Sequence, residues 1–170
     1  MIAGLTCFAE YGYSRARLTD IVAEAGVTTG ALYGHFNSKA DFFDALFSQF
    51  GEALSAALDE SSSLADGIAR YLEVSREYRG VVRASAEVLQ ARAEHAAARR
   101  RLREACAGAL AWHLREPLTQ QRQARIVARV LVDVLDQYAH MEATDSLKRR
   151  SPSDVAEALS GMVTRGVYVA

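Results

Sequence analysis

Between Leu18 and Phe36 an apolar helical stripe, a glycine and a capping threonine follow one another at spacings that few folds can use. Leu18, Ile21, Val22 and Ala25 recur at the i, i+3, i+4, i+7 interval of one helix face. Gly26 comes next. Glycine takes the left-handed conformation just past a helix end without a Cβ penalty, so the chain is expected to turn sharply there, with Val27 plugging the corner. Thr28 is a good N-cap for a further helix, in which Ala31, Leu32 and Phe36 face inward and Thr29, Gly30, Tyr33 and His35 outward. Upstream, Leu5, Phe8 and Ala9 predict a first helix from Ile2 to Tyr11 that Gly12 stops. Downstream, Ser38-Lys39-Ala40-Asp41 is a capping box that opens a fourth helix and points Lys39 toward a phosphate backbone. Two helices joined by a short glycine-bearing turn place the second in a DNA major groove, its first residues at the base edges. Thr29 and Gly30 hold that position.

The ordered set Phe8-Ala9-Glu10-Tyr11-Gly12-Tyr13, Ile21, Ala25-Gly26-Val27-Thr28, Gly30, Leu32-Tyr33, His35-Phe36 and Ser38-Lys39 closely resembles the TetR family of bacterial transcriptional regulators. The resemblance covers residues 1 to about 47; beyond that the chain is similar only in being helical and of suitable length. It implies an all-α chain of about nine helices, with a three-helix helix-turn-helix DNA-binding domain over 1–46 and a larger helical ligand-binding and dimerisation domain over 47–170. By the same resemblance Thr28, Thr29, Gly30, Tyr33, His35 and Lys39 fall on DNA-contact positions, Tyr33 and His35 mostly holding phosphates. Ala16-Arg17 stands where two hydroxyl residues usually cap the second helix, and Arg17 is expected to replace the lost phosphate contact by its charge. Gly34 removes a side chain that often reaches a base. The first helix begins almost at Met1, without the basic arm that many relatives carry before it.

Composition agrees with helices throughout: half of the 170 residues are hydrophobic and only two are proline. The formal charge of −1 supplies no general attraction to nucleic acid, so any DNA contact must be local. Arg99, Arg100, Arg101 and Arg103 read as a solvated helix face. No apolar run reaches the ~18–20 residues of a membrane span, and Cys7 and Cys106 form no disulfide framework, so a cytoplasmic protein without a membrane partner is expected.

The remainder divides at its caps and glycines. A long amphipathic helix over Asp41–Leu58 leaves the reader; Ser63 and Asp66 open a fifth that reaches Tyr78. Val81–Arg92 and Glu94–Arg115 follow, with a break near Ala93 and Pro117 closing the second. Arg122–Met141 and a last helix capped by Ser151-Pro152 carry the clearest stripes. The resemblance implies that these last two pair with their copies in a homodimer, through Ile126, Val130, Val134, Val155, Leu159, Met162, Val163 and Val167. Covering the chain's own core would give the same period.

A helical regulator needs a ligand whose affinity differs between two conformations. Aromatic and polar residues within core stripes are the candidates: Leu72 and Ser75, then Val82 and Leu89, then Cys106, Leu110, Trp112 and His113, then Val134 and Tyr138. Because no clustered charge is evident in those stripes, a mainly apolar or aromatic effector is expected. His95, His113, His140 and Cys106 lack the tight pairing of metal helices, and no catalytic motif occurs, so neither a metal, a cofactor nor catalysis is expected. The reading is a ligand-responsive DNA-binding regulator, a repressor released from double-stranded operator DNA by a small molecule. The alternative is a helical small-molecule-binding or dimerisation module with weak or lost DNA binding.

Overall fold

The computed structural model describes residues 1–114 and 121–168, with side chains for all of these except 90–91 and 166–168. Pro117 and the Val167 side chain lie outside the described residues. Among those described the chain forms nine α-helices and no strand: α1 (Ile2–Arg15), α2 (Leu18–Ala25), α3 (Thr29–Tyr33), α4 (Lys39–Asp59), α5 (Leu64–Glu77), α6 (Arg79–Ala91), α7 (Ala93–Trp112), α8 (Gln121–Ala143) and α9 (Pro152–Tyr168).

The punctuation acts much as its chemistry requires. Gly12, at φ +72°, kinks α1, and one further turn continues to Arg15. Gly26, at φ +65°, ends α2. The Thr28, Ser38 and Ser63 hydroxyl oxygens accept from Ala31 N, Asp41 N and Asp66 N at 3.2, 3.0 and 3.1 Å, each meeting a first-turn amide that has no carbonyl four residues back to bond within the helix. Arg92 is extended and separates α6 from α7, one residue before the expected break. Two details differ from expectation. Val27 is 48% exposed and plugs nothing, because the turn at Gly26 carries it outward. Ala31 is also exposed, leaving Leu32 as the one buried residue of the five-residue α3, with Phe36 edge-on to Phe42 at 4.9 Å.

Helix α4 runs unbroken across residues 46 and 47 and buries Phe42, Phe43, Leu46, Phe47, Phe50, Leu54 and Leu58. Each such burial contributes about 1.5–3 kcal/mol, so this stripe binds the reader and the second unit into one core. A second tie joins α1 to α6. Gly80 lies so close to the Leu5 backbone that a Cβ there would strike the Leu5 carbonyl. One turn on, the Arg83 guanidinium donates to Ala9 O at 2.6 Å, and the Glu87 carboxylate accepts from Ser14 N at 2.8 Å and Tyr13 N at 3.3 Å. Elsewhere α9 lies against α5 and α8 against α7. The buried Glu142 of α8 takes two bonds from Arg76 of α5, at 2.9 and 2.7 Å.

Candidate DNA-reading face and inner cavity

The reading face follows from how little of α3 is needed for packing. Thr28, Thr29, Gly30, Tyr33 and His35 are all exposed, Tyr33 at 52%, while Leu32 fastens the helix to the core. Gly34 caps α3 in a right-handed conformation, its N–H bonded to Gly30 O at 3.0 Å. Arg17 is exposed at the start of α2, and the Asp20 carboxylate accepts its N–H at 3.1 Å, the reciprocal half of a capping box; the bond that a hydroxyl at position 17 would accept from the first turn is not replaced by the Arg17 side chain.

Lys39 requires a correction. Its ammonium turns inward, donating to Tyr13 O at 2.7 Å and Ala16 O at 2.9 Å, with Ser14 O at 3.4 Å, and it stands 4.5 Å from the centre of the Tyr13 ring. The kink at Gly12 exposes a set of carbonyls at the end of α1, and a cation satisfies them there better than water could. Burial lowers the Lys39 pKa below its ordinary value, and nearby Glu87 opposes that shift. With its donors so engaged, Lys39 holds the reader together from behind.

The second unit encloses a cavity of about 320 Å³ between α4, α5, α6, α7 and α8. Phe47, Phe50, Val82, Leu89 and Leu102 form its apolar wall; Tyr71, Ser85, Arg99, Arg103, Asp136 and His140 form its polar one. Asp136 organises the polar side. It accepts from the Tyr71 hydroxyl, and it meets Arg99 Nη2 and Arg103 Nε each at 3.1 Å. Burial, and then the Asp136 charge, push the Tyr71 phenol well above its usual range, so it stays a donor. Burial likewise pushes the Cys106 thiol up to about 12, which keeps it protonated and unreactive.

Of the residues expected to meet a ligand, Val82, Leu89 and Cys106 line this cavity. The others sit elsewhere. Leu72 and Leu110 are fully buried core, Ser75 donates to Tyr71 O within its own helix, and Trp112 is 63% exposed. His113 shares a 2.8 Å hydrogen bond with Ser61, Val134 lies on the outer face of α8, and Tyr138 is partly buried beside Glu142. The expectation of a cavity without clustered charge fails, because the four arginines do not share one face. Arg100 and Arg101 are exposed, whereas Arg99 and Arg103, one turn apart, point inward onto Asp136. That i, i+4 pair, facing an aspartate set in an apolar stripe, was the available signal.

A wider groove of about 690 Å³ opens to solvent between α4 and α7. His95 forms part of its floor, 2% exposed, wedged against Phe47 and Phe43 at ring distances of 4.5 and 5.2 Å. Neither His95 nitrogen meets a partner among the described residues. His95, His113 and His140 are dispersed, and among the described residues no three metal-binding side chains come together.

The expected pairing residues divide in two. Ile126, Val130 and Val134 form an exposed apolar row along α8, at 53, 57 and 43%, and Met162 on α9 is 68% exposed. Val155, Leu159 and Val163 instead pack partly against the chain's own core.

Comparison with known proteins bears on both units. Residues 2–46 match the family model described as bacterial regulatory proteins, tetR family. The HTH-type transcriptional repressor KstR2 of Rhodococcus jostii is 36% identical over 67 residues, 35% of this chain and 33% of that protein. The HTH-type transcriptional regulator TtgR of Pseudomonas putida is 47% identical over 45 residues, 26% of this chain and 21% of that one. The match therefore spans about a third or less of these curated relatives. In fold the likeness extends over nearly the whole chain. The TetR family regulator PfmR of Thermus thermophilus superposes with a TM-score of 0.74 at 20% identity, covering 96% of this chain and 97% of that one. The fatty acid degradation regulator FadR of Bacillus halodurans gives 0.70 at 18% identity, covering 95% and 94%.

Proposed function

We propose, from the match of residues 2–46 to the tetR family model and the likeness in fold over nearly the whole chain, that this chain is a member of that family of bacterial regulatory proteins and a homodimeric, ligand-responsive transcriptional regulator of the cytoplasm, a repressor released from operator DNA by a small molecule. One observation carries the reading. Every residue of α3 and its cap that the helix-turn-helix geometry would aim at DNA is exposed, and only Leu32 is withdrawn to hold the helix. Arg17, Thr28, Thr29, Gly30, Tyr33 and His35 form the contact surface, Thr29 and Gly30 nearest the bases and the rest on phosphates. The 1–46 unit reads DNA and 47–170 pairs the copies and receives the effector. Pairing along Ile126, Val130, Val134 and Met162 sets two copies of α3 in successive major grooves, about 34–36 Å apart.

The effector enters the enclosed cavity, which would surround it far more fully than the open α4–α7 groove. Helices α4 and α6 each give one face to that cavity and another to the reader, α4 through Phe42 and Phe43, α6 through Arg83 and Glu87. A ligand that binds better to one arrangement of these helices shifts the spacing of the two readers. That one matched relative is named a repressor supports the repressing sense.

The rival, a helical binding module that does not hold DNA, is favoured by the inward turn of Lys39, which removes a cation from the reader's surface. Fluorescence anisotropy on duplex DNA from upstream of the chain's own gene separates the two. We expect saturable binding above that to scrambled DNA, with Thr29→Ala narrowing the difference by about 1–3 kcal/mol. Equal affinity for both duplexes in the unaltered protein would end the regulator reading.

A further inference from the structure

We propose that the enclosed cavity takes an amphipathic organic anion, its carboxylate held by Arg99 and Arg103 and its apolar body lying along Phe47, Phe50, Val82 and Leu102. This rests on the cavity being the effector site and adds the chemical class of the effector.

The charges on the wall do not balance. Two guanidinium groups line the cavity against one lining carboxylate, Asp136; Asp133, the other acid paired with Arg103, is largely exposed and does not line the cavity. Asp136 already accepts from the Tyr71 hydroxyl on Oδ1 and from Arg99 Nη2 on Oδ2, and it neutralises only one of the two guanidinium charges beside it. The arginines differ. Each carries five N–H donors in a planar fork, and among the described contacts Arg99 gives only Nη2 to Asp136. The buried Arg103 Nε, although close to Asp136, makes no hydrogen bond among the described residues. An incoming carboxylate can therefore bind beside Asp136 without displacing anything. A cationic ligand would have to take Asp136 from both arginines and strand two charges at a half-buried wall, and a neutral ligand would leave their remaining donors poorly met.

The cavity's shape fits the same class. Its lining joins aromatic and aliphatic side chains, drawn mostly from α4 and α6, to charged ones on α7 and α8, as a molecule with a charged head and an apolar body requires. Its volume lies near the low end of the range of about 300–1,000 Å³ usual for small-molecule sites, so the body is of medium size.

Calorimetry on the full chain tests this with two bodies, octyl and 4-phenylbutyl, each carried as carboxylate, primary amide and primary ammonium. For at least one body we expect the carboxylate to bind about tenfold or more tighter than the amide or the ammonium. Arg99→Gln should erase most of that preference and leave amide affinity unchanged, Arg99→Lys should retain part of it, and Arg100→Gln, on the exposed face, should retain all of it. Equal affinities for the three heads, or a preference for the ammonium, would overturn the anion assignment and leave the cavity as effector site. A carboxylate preference that survives Arg99→Gln would overturn the role of Arg99. If no probe binds a chain shown by circular dichroism to be folded, both the anion assignment and the cavity reading fall; the head-group series itself needs no variant to fold.

Discussion

At the scale of single residues, two side chains act against the usual preference of their type. His95 places a ring with two unpartnered nitrogens between Phe43 and Phe47. Burial lowers its pKa below 6.5; Asp44 opposes that, while Arg92 and Arg99 reinforce it. The sign follows from linkage. The unfolded chain takes up this proton first as pH falls, so stability declines as pH drops below about 6.5 toward the lower folded value and is complete above it. His95→Leu should abolish that decline between pH 7.5 and 5.5 and raise stability at neutral pH by about 1–3 kcal/mol, since it removes buried polar atoms without partners. Urea midpoints at the two pH values check it; an unchanged pH slope would show that the ring has found partners. Lys39 is the opposite case, a cation fully used. Lys39→Met should cost about 1–3 kcal/mol of folding stability while leaving the salt slope of DNA binding unchanged, whereas a phosphate contact would lower that slope by about one when lost.

Among elements, the α1–α6 tie joins partners that lie 74 residues apart in sequence. The Glu87 carboxyl feels burial most, which raises its pKa, yet bonds from Ser14 and Tyr13 and the charge of Arg83 outweigh this and hold it below its ordinary value. Glu87→Gln should weaken the seam by about 1–2 kcal/mol and speed hydrogen exchange at the Ser14 amide more than at amides of α8. Uniform change across the chain would mean that Glu87 only adds general stability. This seam also shows where sequence reading stops. Helices α2, α4 and α5, and the caps at Thr28, Ser38 and Ser63, were legible because their causes are local: stripe period, glycine freedom, hydroxyl geometry. The Gly80 crossing, the contacts of Arg83 and Glu87 and the inward turn of Lys39 were not, since each depends on a partner between 23 residues away, for Lys39 with Ala16, and 75 residues away, for Gly80 with Leu5. The cavity was half legible for the same reason. Its apolar wall of Val82 and Leu89 shows in a stripe, whereas the arginines acquire their role only when α7 meets Asp136 of α8.

For the whole molecule the decisive question is whether the outer row of α8 is a seam between copies. Within one chain Ile126, Val130 and Val134 stay about half exposed although Leu131, Val132 and Leu135 beside them are buried. An amphipathic helix covering only its own core has no need of a second apolar face. Exposed apolar rows of this kind, on a chain that is otherwise a quarter charged residues, mark association. An isologous pair would set each row against its copy around a two-fold axis. Val130→Glu then places like charges at the middle of the seam while touching nothing buried in the single chain. Light scattering should report a monomer with unchanged helical content, and carboxylate probes should bind the cavity as before. Affinity for a two-half-site operator should fall by about 10²–10⁴, because each reader then engages its half-site alone. A variant that remains dimeric would place the pairing surface elsewhere, and with it the spacing of the two copies of α3 from which cooperative reading of an operator follows.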